Sequence, residues 1–503
     1  MSVSNFVVVG GGTAGWISAL YLRHRLPDAN VTVVESETVG IIGAGEGTVP
    51  PFMQLASELE FPMDRLFKQA NATIKNGIKF TGWDVIEDHS YYHGFVASPR
   101  VGLNAMDSDV WLPHTSMLMA YGVGDGREFS EYNFAHKLSE KGKVPIRRLS
   151  DNDWVDEANF ALHFDAQGLA TFLRDLAAER NITRIEGDVV EVEYKDDKVC
   201  CVKLKDGTTV DGEFFVDASG FAKVFVKDQE WVSFSDYLTV DSAIPFFLDI
   251  DDIPPYTEAV AMKHGWVWKI PLQHRYGCGY VYDSNYTTLE EAKAEVEKMY
   301  PEAHWVRETP ISFNPGYVRT PLFGNVLAVG LAAGFVEPLE ATSIWVTTKY
   351  LRQAFRDFSQ LDSPDFVADF TAWVKETNED VLDFLYLHYM TTRTGSTFWT
   401  FYRNPENVPA RLQHRLNRWG WDLPNYSVDG LDLFGLESWV SVAKGVGMVN
   451  NVLYATAIKN NDIPLDLARQ DYNRVISVQD AAIDSCIDHK EYIKYITGDE
   501  VNV

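Results

Sequence analysis

Cysteine, basic charge and long apolar runs are scarce in this chain, and each shortage removes a class of protein. The 503 residues include four cysteines, Cys200, Cys201, Cys278 and Cys486, two of them adjacent. That pattern supports neither a disulfide framework nor zinc-ligand spacing, so a reducing, cytoplasmic setting and no metal centre are expected. Basic residues number 44 against 72 acidic ones, a formal charge of −28. Such a field repels nucleic acid and anionic lipid, and neither is expected as a partner. No stretch reaches the roughly 18 apolar residues of a membrane span. The first apolar run, Phe6 to Val9, has no basic leader and ends in glycines, so no export signal is expected.

What is present is an ordinary globular composition, 46 % hydrophobic and 13 % aromatic, with 14 tryptophans, enough for some to line a binding site. The length suggests about three domain-sized units, or one large fold with inserts. Residues 5–35 read strand, glycine turn, helix, strand. Gly10, Gly12 and Gly15 make a GxGxxG around Thr13 and Ala14, and Glu35 follows 20 residues after the third glycine. The first glycine permits the turn, the second admits a pyrophosphate, the helix N-terminus holds its charge, and Glu35 accepts from a ribose hydroxyl. A dinucleotide-binding βαβ unit is expected, without distinction between FAD and NAD.

A second glycine-rich turn at 41–50 contains Glu46 and Gly47. A helix over 53–70, a strand over 74–83 and an irregular aromatic insertion over 88–145 follow. From 163 the pattern is a helix, then short alternating strands, then a mixed stretch to 271; beyond 330 it is mainly helical. The expected class is α/β. A discontinuous Rossmann-like module over 1–345 has inserts near 88–145 and 225–310, and a helical region over 346–503 covers the substrate.

FFVDASG at 214–220 and GNVLAVGLAAGFVEP at 324–338 look like the second and third FAD contacts of monooxygenase-type flavoproteins. Hydroxylases usually carry GD in the latter, whereas this chain has Gly330-Leu331. Six motifs then carry a resemblance over nearly the whole chain: GGGTAGW (10–16), GEGTVP (45–50), GIKFTGW (77–83), HFDA (163–166), GWVWKIP (265–271) and FVEPLEATSI (335–344). Together they resemble the flavin-dependent tryptophan halogenase family.

The resemblance implies FAD, delivered as FADH2 by a separate flavin reductase, which with oxygen and a halide ion yields hypohalous acid to halogenate an electron-rich aromatic small molecule. Val189 and Ile344 join the cofactor contacts. Trp266 and Trp268 shield the flavin from the substrate, though on an alternating strand they are equally two core indoles on one face. Lys79 relays the hypohalous acid; Lys75, of the same strand parity, is its rival. Glu340 positions the halogenating species and takes the arenium proton, with Glu337 the competing acid.

Thr342 and Ser343 hold the halide. Given the negative overall charge, only local N–H dipoles can do so. The family's Ser-Thr-Gly reads Ala341-Thr342-Ser343 here, which puts the halide preference in question. His93 and Phe95 sandwich the substrate ring, and Trp439 is a further pocket indole. The approach to Trp439, residues 425–438, lacks the tyrosine pair and the spaced glutamate with which tryptophan-specific members hold an amino-acid tail. Free tryptophan is therefore not the expected substrate. The rival readings are a flavin-dependent aromatic monooxygenase and a flavin-binding protein without chemistry.

Overall fold

The computed structural model describes residues 3–36, 45–84, 89–95, 133–150, 153–419, 433–448 and 465–498. The chain divides into two compact units: Met1–Ala72, Phe164–Ser235 and Phe313–Glu379 make the first, and Thr73–His163, Asp236–Ser312 and Asp380–Val503 the second.

The first unit is built on a six-stranded sheet in the order Thr183–Glu186, Asn30–Glu35, Asn5–Val9, Phe214–Asp217, Val326–Ala328, Leu322–Phe323. All neighbours are parallel except the last pair. The runs FVVV and FFVD are buried on both faces, as a sheet covered by helices requires. The helix Thr13–Arg25 buries every residue from Gly15 to Leu22 and packs against the helices Ala166–Glu179 and Ser343–Ala354. A separate three-stranded antiparallel sheet joins Val189–Lys195, Lys198–Leu204 and Thr209–Asp211. Its inner face packs Val199, Val202 and Leu204 onto Val7, Val34 and Phe215.

The second unit is built on a larger sheet whose main path runs His304–Trp305, Ser242–Asp249, Arg275–Tyr282, Gly265–Pro271, Thr257–Met262, Gly77–Thr81, Ser90–Gly94. Among the described residues its one parallel pair is Thr257–Met262 with Gly77–Thr81. The sheet register sorts side chains onto two faces, since directly paired residues share a side. Trp266, Trp268, Ala259, Ile78, Phe80, Tyr91 and His93 share one face; Lys79, Tyr92, Glu258, Lys269 and Val267 share the other. Val260 and Val267 of the latter face join a core closed by Ala292 and Val296 of the helix Leu289–Met299.

Three expectations change. The helix expected over 53–70 is two, Pro51–Glu58 and Met63–Gln69. The segment 74–83 is not one strand: Thr73–Lys75 pairs with Ala161–Phe164, and Gly77–Thr81 with Thr257–Met262 and Ser90–Gly94. Asn76 breaks the run by donating its N–H to Pro255 and accepting from the N–H of Phe95. Of the segment read as an irregular insertion, residues 96–132 lie outside the described residues, while Ser90–Gly94 and Lys143–Ser150 are strands and Phe134–Glu140 is a helix.

Candidate active site

In the first unit the glycine loop sits at the C-terminal ends of the parallel strands. Gly10 has φ +120°, and a Cβ there would lie 2.1 Å from the carbonyl oxygen of Ala218, so only glycine fits. A Cβ on Gly15 would lie 1.9 Å from Gly10 O, whereas one on Gly12 would meet nothing within 4 Å. The first turn of Thr13–Arg25 has no side-chain cap, and the buried Thr13 Oγ1 has no hydrogen-bond partner among the described residues. An open backbone at Gly12, uncapped N–H groups and a free hydroxyl fit a pyrophosphate. Ala14 lies against Gly330, which has φ +59°; Leu331 follows it in a single 3-10 turn.

Glu35 is buried at the end of its strand, with its carboxylate against Gly11, and it is ion-paired with Arg184 on the neighbouring strand. Arg184 had no sequence signal, because strand order brings it there. Val189 begins the small antiparallel sheet and packs on its core. Glu46 and Gly47 form a short strand; burial, with the Asp165 carboxylate adding, pushes the Glu46 carboxyl up to about 7. Residues 41–44 of that turn lie outside the described residues.

Glu337 and Glu340 are both buried, at the two ends of the segment leading into the helix Ser343–Ala354. Ala341 takes a left-handed conformation (φ 54°, ψ 40°), and Thr342 follows in the right-handed one (φ −79°, ψ −16°). Such a left–right pair turns successive N–H groups into one concavity, an anion-binding nest. It coincides here with the positive end of a 12-residue helix. Thr342 is buried, Ser343 exposed and Ile344 half-buried.

In the second unit the predicted substrate residues come together. His93 lies edge-on to Phe95 (centroids 6.2 Å) and to Phe384 (5.6 Å), and Phe384 lies edge-on to Trp439 (4.9 Å) while stacking on Phe434 (3.8 Å). Trp439 is carried by the helix Leu436–Gly445, which packs on the strand Ser90–Gly94, with Ser441 Oγ donating to Tyr92 O at 2.8 Å. Arg415 covers a face of the Trp439 indole at 3.9 Å and reaches Asp380 at 3.5 Å. Phe384 and Arg415, on the helices Pro364–Tyr389 and Ala410–Trp419, and Phe434, in the bend before Leu436–Gly445, escaped sequence reasoning because only the tertiary fold brings them to this cluster.

The two lysines part company. Lys75 is fully buried, with Nζ 5.3 Å from the centroid of the Phe95 ring. Lys79 is half-buried on the opposite sheet face from His93, Trp266 and Trp268, between the rings of Tyr92 (5.6 Å) and Tyr256 (5.7 Å). Asn76 is the reason, because its break removes the shared parity that a single strand would impose.

Trp266 and Trp268 do share a face, 6.4 Å apart. Trp266 Nε1 donates to Tyr389 Oη at 2.9 Å, and Trp268 lies over Gly279, where a Cβ would come within 2.1 Å of its ring. The Trp268 indole N–H is buried and has no partner among the described residues.

A parallel sheet with a glycine loop at its strand ends defines a dinucleotide-binding α/β protein; an aromatic cluster with a buried lysine lies in its second unit. Residues 5–459 match the tryptophan halogenase family, and the chain belongs to it. It is 32 % identical over 443 residues to the tryptophan 6-halogenase SttH of Streptomyces toxytricini, covering 83 % of this chain and 84 % of that one. It is equally 32 % identical over 426 residues to the tryptophan 7-halogenase RebH of Lentzea aerocolonigenes, covering 79 % and 78 %. A flavin-dependent halogenase from Xanthomonas campestris superposes with a TM-score of 0.86 at 28 % identity over 99 % of both chains. The protein is thus a flavin-dependent halogenase, an oxidoreductase that uses FADH2. No described helix is long and apolar enough to cross a membrane.

Proposed function

We propose that this halogenase transfers halogen to an electron-rich aromatic small molecule, with hypohalous acid delivered to the substrate by Lys75. Reduced FAD, supplied by a separate flavin reductase, furnishes hypohalous acid when bound with oxygen and halide. The glycine loop 10–15, Glu35, Glu46, Gly47, Val189, Gly330, Leu331 and Ile344 hold that cofactor. The nest at Ala341 and Thr342, with the N–H of Ser343, holds the halide. Glu340 accepts the proton lost from the ring, because a buried carboxylate stabilises the developing cation. Trp266 and Trp268 keep the substrate off the flavin, which favours halogenation over hydroxylation.

The observation that carries the reading is the buried Lys75 Nζ over Phe95, in a cluster that continues through His93 and Phe384 to Trp439. An ammonium there donates to the oxygen of hypohalous acid and polarises its halogen toward a ring stacked on Phe95 or His93. The resemblance assigns this step to Lys79, whose side chain lies on the other face of the sheet. Single-turnover halogenation decides between them. Lys75→Ala is expected to abolish halogenated product while FAD binding and FADH2 oxidation persist, and Lys79→Ala to keep more than about a tenth of wild-type kcat, a loss under about 1.4 kcal/mol. The reverse order returns the role to Lys79, and loss of FAD binding in Lys75→Ala refutes a role after the flavin step.

A further inference from the structure

We propose that the small antiparallel sheet of the first unit carries a binding site for one thiophilic divalent cation, Zn2+ or its analogue Cd2+, formed by Glu193, Cys200 and Cys201. Adjacent residues of a regular strand point to opposite faces, so the Cys200-Cys201 pair in sequence suggests no shared ligand. A β-bulge changes that. Glu193 pairs with Cys201 and Tyr194 with Val199, which leaves Cys200 as an extra residue on its strand.

Both thiols then reach Glu193: Cys201 Sγ lies 3.1 Å from Oε2 and Cys200 Sγ 3.4 Å from the carbonyl oxygen. The two sulfurs and the carboxylate oxygen all lie within 4.8 Å of one another. Two thiolates bound at about 2.3 Å to a tetrahedral ion sit roughly 3.8 Å apart, so small side-chain rotations close the site. Lys203 pairs with Oε1 of Glu193, which leaves Oε2 as the ligand atom, and a water completes the shell.

Binding converts the two thiols to thiolates with release of two protons, and no electron is transferred; with the Glu193 carboxylate the divalent complex carries one negative charge, which faces Lys203. The cation joins two strands, so it also stabilises the sheet.

The test titrates the reduced full-length protein with Cd2+ and reads the cadmium–thiolate charge-transfer absorbance, the protons released and the melting temperature. One equivalent, two protons and a raised melting temperature are expected. Cys200→Ser is expected to weaken binding by on the order of 100-fold and Glu193→Gln, at a half-exposed position, by roughly tenfold. Cys278→Ala and Cys486→Ala should leave the band unchanged, both thiols being buried elsewhere. Absence of the band at one equivalent, or a band that survives the Cys200→Ser/Cys201→Ser double variant, overturns the proposal. FAD content and the unliganded melting curve show that each variant has folded.

Discussion

His489 anchors the strand that carries Lys75, and it can do so only while neutral. Its Nε2 accepts the Ile74 N–H at 2.9 Å, and its Nδ1–H donates to Ile253 O at 2.9 Å. The ring is fully buried, and that burial lowers its pKa from 6.5 to about 4. His163, on the partner strand, is neutral for the same reason, with the Lys75 charge adding and that of His489 joining it only where His489 is protonated. Thr73 Oγ1 donates to Pro271 O at 2.6 Å, so it accepts from His163 Nδ1–H, while His163 Nε2 accepts from Thr257.

A histidine whose folded pKa is depressed stabilises the fold above its unfolded pKa and loses that contribution as pH falls toward the folded value. For His489 the window is pH 6.5 to 4, and about 2.5 units at 1.36 kcal/mol each gives about 3 kcal/mol. The perturbation is His489→Gln, uncharged at every pH. Because a chain of two units need not unfold in one step, the readout is the opening free energy of the amides at 73–75 from hydrogen exchange, corrected for intrinsic rates. Wild type should lose about 3 kcal/mol more than His489→Gln between pH 7 and pH 4. The part of the His163 contribution that comes from burial and from Lys75 is common to both proteins and cancels. Equal losses in the two proteins would refute a neutral, anchoring His489.

The features legible in the sequence were those set by local rules. Gly10, Gly12 and Gly15 announced a turn whose backbone contacts demand glycine, and alternation in GWVWKIP placed Trp266 and Trp268 on one face. The helical C-terminal part and the α/β class followed from periodicity. The choice of lysine was not legible. Lys75 and Lys79 are four apart in an alternating run, and only the backbone bonds of Asn76 to Pro255 and Phe95, both distant in sequence, reveal that the strand breaks between them. Phe384 and Arg415 beside the substrate cluster, and Arg184 on Glu35, are tertiary neighbours with no local signature. Nor does any sequence rule give alanine a left-handed conformation at 341, a strain of roughly 1–2 kcal/mol that the surrounding segment holds in place.

That strain makes Ala341→Gly a stabilising change by roughly 1 kcal/mol, read as a higher melting temperature; a lower one would mean the left-handed turn is not native. Glu340→Gln is expected to lower turnover by on the order of 10²-fold with little change in substrate binding, and Glu337→Gln less; a reversed order would move the catalytic role to Glu337. In equimolar halides, bromide or iodide should be used at least as well as chloride. Larger halides are less strongly hydrated, and a site with Ala341 and Ser343 in place of serine and glycine penalises them less; a mainly chlorinated product would contradict this.

The last expectation concerns the substrate: uncharged arenes should outrank free tryptophan in kcat/KM. Residues 420–432 and the side chain of Glu437 lie outside the described residues, so the argument rests on sequence there. The tyrosine pair is missing, and Glu437 stands two residues before Trp439, where the family's acid stands about four before it. On any regular helix a shift of two residues turns a side chain through about 200°, so the sequence spacing alone argues against an equivalent acid. The cation at that indole, Arg415, is already tied to Asp380. A zwitterion with its charges partly unpaired in an apolar cluster loses several kcal/mol, and each ~1.4 kcal/mol is tenfold in affinity. An indole, phenol or aniline without the amino-acid tail keeps its stacking on Phe95 and His93 and avoids that loss. Under one halide and one reductase, tryptophan ranking first across such a panel would overturn the argument.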